Sequence, residues 1–325
     1  MLDLMKKGYL CNAQQACTVR RVTLEEGKAR GARVIEIATA GGLSVDLLPD
    51  SGLDIGQARY RGVNMSWISK NGCDASWADN PFENEFLHNF PGGLLFTGGL
   101  RSTGPGNRDG DEWHPLHGRF HGMGAEQVCA RIEDDVVIVS GVIRETALFG
   151  HALELKREYR IPVFGSEIQL TDTLTNQTHQ PEEFAVLYHC NFGWPLVTEK
   201  ARLELPEQRR TTPRTPFAAT CMGRETTFDA PTPGEEERVF FHEDMEHRAA
   251  IVNPDIDTRM TITWSDNLPV LSHWRSMASG DYVCGLEPGN SYIMGRGPER
   301  ENGTLKAIGP FESITMGIKI AFDHV

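Results

Sequence analysis

The sequence predicts an all-β protein, a large antiparallel β-sandwich. Short runs rich in β-branched residues and bounded by turn residues recur along most of the chain, and many of them alternate apolar with polar side chains, as half-buried strands do. The chain contains 33 glycines and 18 prolines, which supply the tight turns that a many-stranded antiparallel protein needs. Amphipathic helical patterns are scarce, so we expect sheet packed on sheet.

Element boundaries follow from these patterns. Examples of the predicted strands are Val34–Ala38, Leu43–Leu48, Asp54–Tyr60, Val136–Val139, Leu153–Ile161, Ile168–Leu174, Phe184–His189, Met260–Trp264, Val270–Trp274, Val283–Leu286 and Ile314–Ile320. One short helix is predicted over Asp79–Phe90, because Asn80 is a favourable N-cap and Pro81 suits the first helical position.

No linker divides the chain, so we predict a single β-sandwich domain over residues 1–325. The hydrophobic content of 39% is ample for a large core, and all-β domains can exceed the usual domain size. The most polar stretch, Glu204–Glu237, carries five prolines and several Thr and Arg residues. We interpret it as a long surface excursion between strands.

Composition also limits the partners and the compartment. The formal net charge is −13 without a clustered Lys/Arg face, so nucleic acid would be repelled whereas a neutral small molecule would not. No apolar stretch approaches the roughly 20 residues that span a bilayer, so no membrane partner is expected. The seven cysteines lack a C-x-x-C spacing, and the N-terminal segment lacks the apolar core of a secretory signal. These features predict a cytoplasmic protein with reduced thiols, and they leave the oligomeric state open.

Polar side chains with catalytic potential concentrate at three points where predicted strands meet Gly/Pro turns. One of these points is His189, where a strand ends, and another is Glu287, where a strand ends before a turn. The remaining point is the segment Gly92–His121, whose glycines permit close backbone approach. It contains Arg101, His114, His117, Arg119 and His121. Each point alone is explained at least as well by structure, and only their order along the chain indicates function.

Three short motifs occur in that order. They are Leu116-His117-Gly118-Arg119, then Leu187-Tyr188-His189 with Asn191-Phe192, then Leu286-Glu287-Pro288 with Asn290. Together they resemble the LHG element, the catalytic-histidine strand and the catalytic-glutamate strand of the aldose 1-epimerase (galactose mutarotase) superfamily. The resemblance covers roughly residues 30–321 and is greatest to a poorly characterised branch. It implies a galactose mutarotase-like supersandwich with its site in a cleft across one sheet.

The resemblance also implies roles for individual residues. His189 matches the general acid and Glu287 the general base, while His117 matches a histidine that orients the sugar. By approximate spacing Arg101 matches the substrate-binding arginine, and Asp244 is the candidate for the binding aspartate. The implied reaction interconverts the anomers of a free or modified sugar. A base removes the proton of the C1 hydroxyl while an acid protonates the ring oxygen, and no cofactor is needed.

Three further side chains are candidates for substrate contacts. Arg119 departs from the family's NPxxHG-like context, and its planar fork suits a carboxylate, sulfonate or phosphate on a modified sugar. A structural salt bridge explains Arg119 equally well. Trp274 has polar neighbours and could stack on the apolar face of a sugar ring, and the adjacent His273 could contact a hydroxyl.

Two other functions stay open at the level of sequence. His114, His117 and His121 have the spacing H-x₂-H-x₃-H and could hold a divalent ion in a metal-dependent sugar isomerase, although the Gly and Pro between them offer no regular element to fix the geometry. The same fold could instead belong to a non-catalytic sugar-binding protein, because fold does not determine function. A nucleotide site has little support, since Gly104-Pro105-Gly106 is neither G-x-G-x-x-G nor a P-loop.

Overall fold

Antiparallel β-strands form the frame of the protein, for which a computed structural model describes residues 1–75 and 83–325. The strands of these ranges, in chain order, are β1 (Cys17–Thr23), β2 (Arg33–Thr39), β3 (Leu43–Leu48), β4 (Asp54–Tyr60), β5 (Val63–Asn64), β6 (Leu95–Gly98), β7 (Asn107–Asp109), β8 (Glu112–His114), β9 (Glu126–Glu133), β10 (Val136–Thr146), β11 (Ala152–Pro162), β12 (Glu167–Asn176), β13 (Glu182–Phe184), β14 (Leu187–Phe192), β15 (Arg202–Glu204), β16 (Arg210–Pro213), β17 (Arg238–Glu243), β18 (Arg248–Asn253), β19 (Thr258–Trp264), β20 (Val270–Ala278), β21 (Asp281–Gly289), β22 (Lys306–Ile308) and β23 (Ser313–Asp323). The α-helices are short: α1 (Leu2–Lys6), α2 (Glu83–Asn89), α3 (Pro216–Thr220) and α4 (Arg296–Glu301).

Two large sheets carry most of the strands. The larger has 11 strands in the order β1-β2-β3-β4-β6-β14-β21-β20-β17-β16, with β5 attached to β4. The smaller has 8 strands in the order β15-β18-β19-β23-β12-β11-β10-β9. Two small pairs, β13-β22 and β7-β8, complete the sheets of the described ranges. Both neighbours of β14, which are β6 and β21, run antiparallel to it.

The hydrophobic core lies between the two large sheets. Val45 and Leu47 of β3 enter it from the larger sheet, and Leu155 and Leu170 enter it from the smaller one. All four are buried in one continuous apolar cluster. Full burial of such a side chain is worth about 1.5–3 kcal/mol, so the contact between the sheets is the main source of stability. The predicted antiparallel β-sandwich is therefore confirmed.

A buried ionic cluster fixes β14 against the smaller sheet. Arg157 donates hydrogen bonds to both carboxylate oxygens of Asp172, at 3.0 and 2.8 Å, and the Tyr188 hydroxyl donates to Asp172 Oδ2 at 2.9 Å. Burial raises the pKa of Tyr188 well above its ordinary value, so the phenol remains a donor. Because removing one member of a buried ionic group is strongly destabilising, this cluster anchors the strand that carries the next residue, His189.

Several observed strands extend beyond their predicted bounds, as β10 does beyond Val136–Val139, and two predicted elements differ more clearly. The predicted strand Phe184–His189 is divided between β13 and β14. The predicted helix Asp79–Phe90 corresponds to α2 in its second half, while Asn80 and Pro81 lie outside the described residues.

No helix of the described ranges combines the length and the apolar character that crossing a membrane requires. All seven cysteines are unpaired.

Candidate active site

Three neighbouring strands of the larger sheet, β14, β21 and β20, form the floor of a cavity of about 500 Å³. The register pairs Cys190 with Leu286, and it therefore sets His189 opposite Glu287. Side chains alternate between the faces of a sheet. Cys190 and Leu286 thus enter the core, whereas His189 and Glu287 line the cavity. Trp274 of β20 lies on the same side and lines the cavity as well.

His189 and Glu287 are in contact on this floor. Nε2 of the imidazole is 3.2 Å from Oε1 of the carboxyl group, and the side chains are only 8% and 1% exposed. Both carboxyl oxygens of Glu287 and Nδ1 of His189 are buried without a hydrogen-bond partner among the described residues. Each unsatisfied buried polar atom costs about 1–3 kcal/mol. The polar groups of a bound ligand would supply the missing partners.

Burial sets the protonation of this pair, because removal from water disfavours the charged form of either group. It raises the pKa of Glu287 well above its ordinary value and lowers the pKa of His189 to about 4. In the empty site burial therefore favours the protonated form of Glu287 and the neutral form of His189, which together hold one proton. The pair thus combines one proton donor with one proton acceptor.

A glycine makes room for the carboxyl group. A Cβ at Gly285 would lie 2.4 Å from Oε1 of Glu287 and 3.2 Å from Cε3 of Trp274. Both distances are too short for a side chain to be accommodated without moving its neighbours. Gly285 therefore allows Glu287 and Trp274 to lie side by side over the strand.

Aromatic rings form one wall of the cavity. Trp67 and Trp274 make an edge-to-face contact with ring centroids 5.9 Å apart, and the Trp274 ring is 5.5 Å from that of His189. The indole N–H of Trp274 donates to Oε2 of Glu237 at 2.8 Å, which fixes the ring orientation. Apolar walls with a few convergent polar groups are typical of small-molecule sites, and flat aromatic rings suit the apolar face of a sugar.

His117 lies on the side wall beside the pair. It adopts a φ of +57°, followed by Gly118 at +78°, and its Nδ1 accepts a hydrogen bond from the Gly104 backbone N–H at 3.3 Å. Its ring is 5.5 Å from that of His189 and almost perpendicular to it. Burial, with smaller contributions from nearby charges, lowers the pKa of His117 well below its ordinary value. A neutral ring that accepts at Nδ1 carries its proton on Nε2, which leaves one donor for a ligand.

Charged residues line the cavity beyond the pair. Lys70 binds Asp281, with Nζ 2.7 Å from Oδ2. Arg214, which directly follows β16, is half-buried and lines the cavity, and its guanidinium has no ion pair within the described residues. Burial is the main cause of the raised pKa of Glu287; Glu237 adds to this rise, and Arg214 opposes it.

Neither of the two predicted substrate-binding arginines, Arg101 and Arg119, is part of the cavity lining. Arg101 is nearly buried and donates to Glu182 at 2.8 Å and to Glu112 at 2.5 Å. Arg119 donates to the backbone carbonyl of Trp113 at 2.6 Å and lies 3.4 Å from Glu112. Both guanidinium groups already bind protein acceptors, so this geometry does not favour the predicted substrate contacts of the two arginines. For Arg119 the structural alternative considered from the sequence accounts for the observed contacts.

Asp244 and His273, also predicted to contact the substrate, are not part of the cavity lining either. Asp244 is largely exposed and accepts a hydrogen bond from Arg210 at 3.0 Å, outside the cavity lining. His273 is fully buried on the opposite face of β20 from Trp274, and its Nδ1 is 3.2 Å from Nε2 of His242. Because adjacent residues of a strand point to opposite faces of the sheet, His273 points away from the cavity that Trp274 lines.

The three histidines of the H-x₂-H-x₃-H pattern have separate environments. His114 is buried with Nε2 3.8 Å from Glu112, whereas the ring of His121 packs on Phe96 with centroids 4.7 Å apart. Of these three histidines only His117 lines the cavity. Within ranges 1–75 and 83–325, no three side chains of metal-binding type converge on one point. This geometry therefore gives no support to the metal-dependent alternative.

Sequence reasoning missed several residues of the lining. Trp67 reaches the cavity because its backbone N–H pairs with the Asn191 carbonyl at 3.0 Å, which holds the segment after β5 against β14. A lone tryptophan among polar turn residues was an available signal for it. No local pattern marks the charged residues, because each reaches the cavity through tertiary contacts. The missed residues are Trp67, Lys70, Arg214, Glu237 and Asp281.

Solved structures resemble this chain over nearly its whole length. A protein of Klebsiella pneumoniae described as a "putative aldose 1-epimerase" is 26% identical, with 97% of this chain and 87% of that chain covered and a TM-score of 0.89. A galactose mutarotase-like protein of Clostridium acetobutylicum is 18% identical, with 96% and 100% covered and a TM-score of 0.65. Galactose 1-epimerase of Lactobacillus acidophilus is 13% identical, with 95% and 99% covered and a TM-score of 0.62.

These likenesses confirm the galactose mutarotase-like fold that the motifs predicted. No curated protein sequence matches the chain. A family model described as a domain of unknown function, DUF4432, matches residues 29–322. With this match over most of its length, the chain belongs to the DUF4432 family.

Proposed function

We propose that the protein is an aldose 1-epimerase, which interconverts the α and β anomers of a sugar. The observation that carries the proposal is the contact between His189 and Glu287 on the floor of an apolar-walled cavity. The likeness to a Klebsiella pneumoniae protein described as an aldose 1-epimerase candidate supports it, at 26% identity. Perturbed acid and base groups in a cleft are typical of catalytic sites.

The chemistry of anomer exchange fits a pair that holds one proton. Ring opening removes the proton of the C1 hydroxyl and adds a proton to the ring oxygen, so it needs one acceptor and one donor. In keeping with the family resemblance, His189 is the general acid and Glu287 the general base. The proton that rests on Glu287 in the empty site crosses the 3.2 Å contact to His189 when substrate hydroxyls donate to the carboxylate.

Ring closure on the other face of C1 completes the reaction. The two groups then exchange roles: the carboxylic acid returns a proton to the C1 oxygen, while the imidazole accepts the proton of the C5 hydroxyl. The pair ends with the single proton with which it began, so no cofactor takes part. Each assisted transfer is typically worth about 10²–10⁴-fold in rate.

Neighbouring side chains orient the sugar for this step. The free N–H of His117 is suited to a ring hydroxyl, since its other nitrogen is already bound to Gly104. Trp67 and Trp274 offer apolar faces on which the sugar ring can stack. A correctly held sugar presents C1 to the pair, and such positioning is a large part of enzymatic rate enhancement.

The test is saturation-transfer NMR of exchange between α and β anomers across a panel of free, uronic and sulfonated sugars. We expect the wild type to accelerate exchange of at least one sugar. Glu287→Gln and His189→Asn should each lower that rate by about 10²–10⁴-fold while thermal unfolding stays close to wild type. Glu167→Gln, which removes a carboxylate on the outer face of the smaller sheet, is the matched control and should keep full activity.

A sugar that binds without faster exchange would contradict the enzymatic proposal. In that outcome the protein is a sugar-binding protein on the same fold. Equal rates for the wild type and both site variants, with exchange still accelerated, would place the chemistry at another site.

We infer that the activity belongs to the cytoplasm. All seven cysteines are unpaired, and unpaired thiols in such number are typical of a reducing compartment. Recovery of the native protein in a periplasmic or secreted fraction would contradict this location.

A further inference from the structure

Among the described residues, each charged side chain of the cavity lining contacts an oppositely charged or polar group of the protein except one. Lys70 binds Asp281, and the Glu237 carboxylate accepts the indole N–H of Trp274. Glu287 contacts His189. Only the Arg214 guanidinium lines the cavity without an ion pair or a hydrogen bond to the described residues.

The position of Arg214 is fixed by its backbone. Its N–H donates to the Val239 carbonyl at 2.9 Å, and the preceding Pro213 ends β16. The following Thr215 caps α3 by accepting from Ala218 N–H at 3.1 Å. With strand pairing on one side and a capped helix on the other, this backbone presents the half-buried side chain to the cavity.

Arg214 also lies within electrostatic reach of the catalytic floor. Its charge favours the ionised form of Glu287 and disfavours protonation of His117, although burial is the larger influence on both groups. Because Arg214, His189 and Glu287 line the same cavity, a ligand on the floor can also reach the guanidinium.

We propose that the substrate is a sugar carrying an anionic substituent, a carboxylate, sulfonate or phosphate, and that Arg214 binds this substituent. This inference rests on the proposed function and names its substrate class. A planar guanidinium matches such an oxyanion with two parallel hydrogen bonds. Neutral hydroxyls satisfy its donors without neutralising its charge. From the sequence, Arg119 was expected to contact an anionic substituent, but Arg119 binds Trp113 and Glu112. We therefore assign this contact to Arg214.

Paired substrates test the proposal directly. Anomer exchange is measured with glucose, glucuronate, glucose 6-phosphate and 6-sulfonated glucose, using the wild type, Arg214→Gln and Arg214→Lys. We expect kcat/KM for one anionic sugar to exceed that for glucose. Arg214→Gln should reduce this preference by about 10- to 100-fold, mainly through KM, as loss of a charged hydrogen bond predicts. Arg214→Lys keeps the positive charge, so this variant should retain part of the preference for the anionic sugar.

Arg210→Gln is the matched control. Arg210 begins β16, the strand that directly precedes Arg214, but it is bound to Glu243 and Asp244 outside the cavity, so its loss should leave the preference unchanged. The anionic sugar that responds most to Arg214→Gln distinguishes among carboxylate, sulfonate and phosphate.

Two results would overturn the inference. Arg214→Gln could lower exchange of glucose and of the anionic sugars by the same factor, which would mean that Arg214 acts only through Glu287. Alternatively, the wild type could bind glucose as tightly as every anionic sugar. Binding is therefore measured by NMR titration of the same sugars. If no sugar is exchanged the proposed function fails, and loss of anionic-sugar binding in Arg214→Gln still supports the anion site.

Discussion

Two regions of the molecule, Gly92–His121 and Glu204–Glu237, contrast in how they use their charges. The first has the composition of an active site, with glycines, histidines and arginines close together. Its arginines Arg101 and Arg119 bind acceptors within the protein. The second has the composition of a surface excursion, yet it supplies two residues of the cavity lining, Arg214 and Glu237.

The difference shows that composition does not determine whether a charged side chain is available to a ligand. In the first region, carboxylates close to the arginines in space neutralise them. In the second, β16 joins the edge of the larger sheet beside β17, and the chain that follows it is brought over the floor of the cavity. Tertiary pairing therefore decides which charge remains free.

Stability should distinguish the two regions most strongly. Replacing Arg101 by Gln removes a nearly buried guanidinium from Glu182 and Glu112, which keep Arg296 and Arg119 as partners. Loss of hydrogen bonds between charged groups should then cost about 1.5–3 kcal/mol. Arg214→Gln is the matched variant in the other region. It breaks no ion pair of the described residues, so its free energy of unfolding should stay within about 0.5 kcal/mol of wild type.

Denaturant unfolding of the two variants measures this contrast. A stable Arg101→Gln variant that has lost anomer exchange would contradict the account, because it would indicate that Arg101 contacts the substrate. A strongly destabilised Arg214→Gln variant would show that Arg214 is held by the fold.

The pH dependence of kcat/KM gives a smaller but more specific contrast. The pair is competent while it holds one proton. Activity should therefore fall at acid pH as His189 is protonated, with a pKa of about 4, and on the high-pH side as Glu287 loses its proton from its raised pKa. Glu237 raises the pKa of Glu287, after burial, and Arg214 opposes this rise.

Two substitutions in the second region, Glu204–Glu237, should move the high-pH limb of the kcat/KM profile in opposite directions. Glu237→Gln removes a negative charge, lowers the pKa of Glu287 and shifts the limb to lower pH. Arg214→Gln removes a positive charge and shifts it to higher pH. Glu112→Gln, from the first region, should leave the limb in place. A shift with Glu112→Gln, or movement of the other two in the same direction, would contradict the assigned electrostatics.

The fold was accessible from the sequence because its signals are local. Period-two alternation and turn residues mark most strands without knowledge of their partners. The division of Phe184–His189 into β13 and β14 escaped detection, since β13 pairs with the distant β22 rather than with a neighbouring segment of sequence.

The site was accessible only in part. His189 and Glu287 were found because each lies within a recognisable motif, and both line the cavity. Trp274 and His273 show the limit of such reasoning, because adjacent strand residues point to opposite faces and only the packed sheets reveal which face holds the cavity. Arg214 carries no local signal, since its proximity to the floor arises from the pairing of β16 with β17.

The most direct test is a crystal structure of the wild-type protein with its preferred sugar bound. We predict a sugar ring against Trp274, with the C1 oxygen and the ring oxygen within about 2.6–3.2 Å of His189 and Glu287, the reach of direct proton transfer. A sugar held in the cavity with C1 remote from both residues, or bound at another surface, would contradict the account.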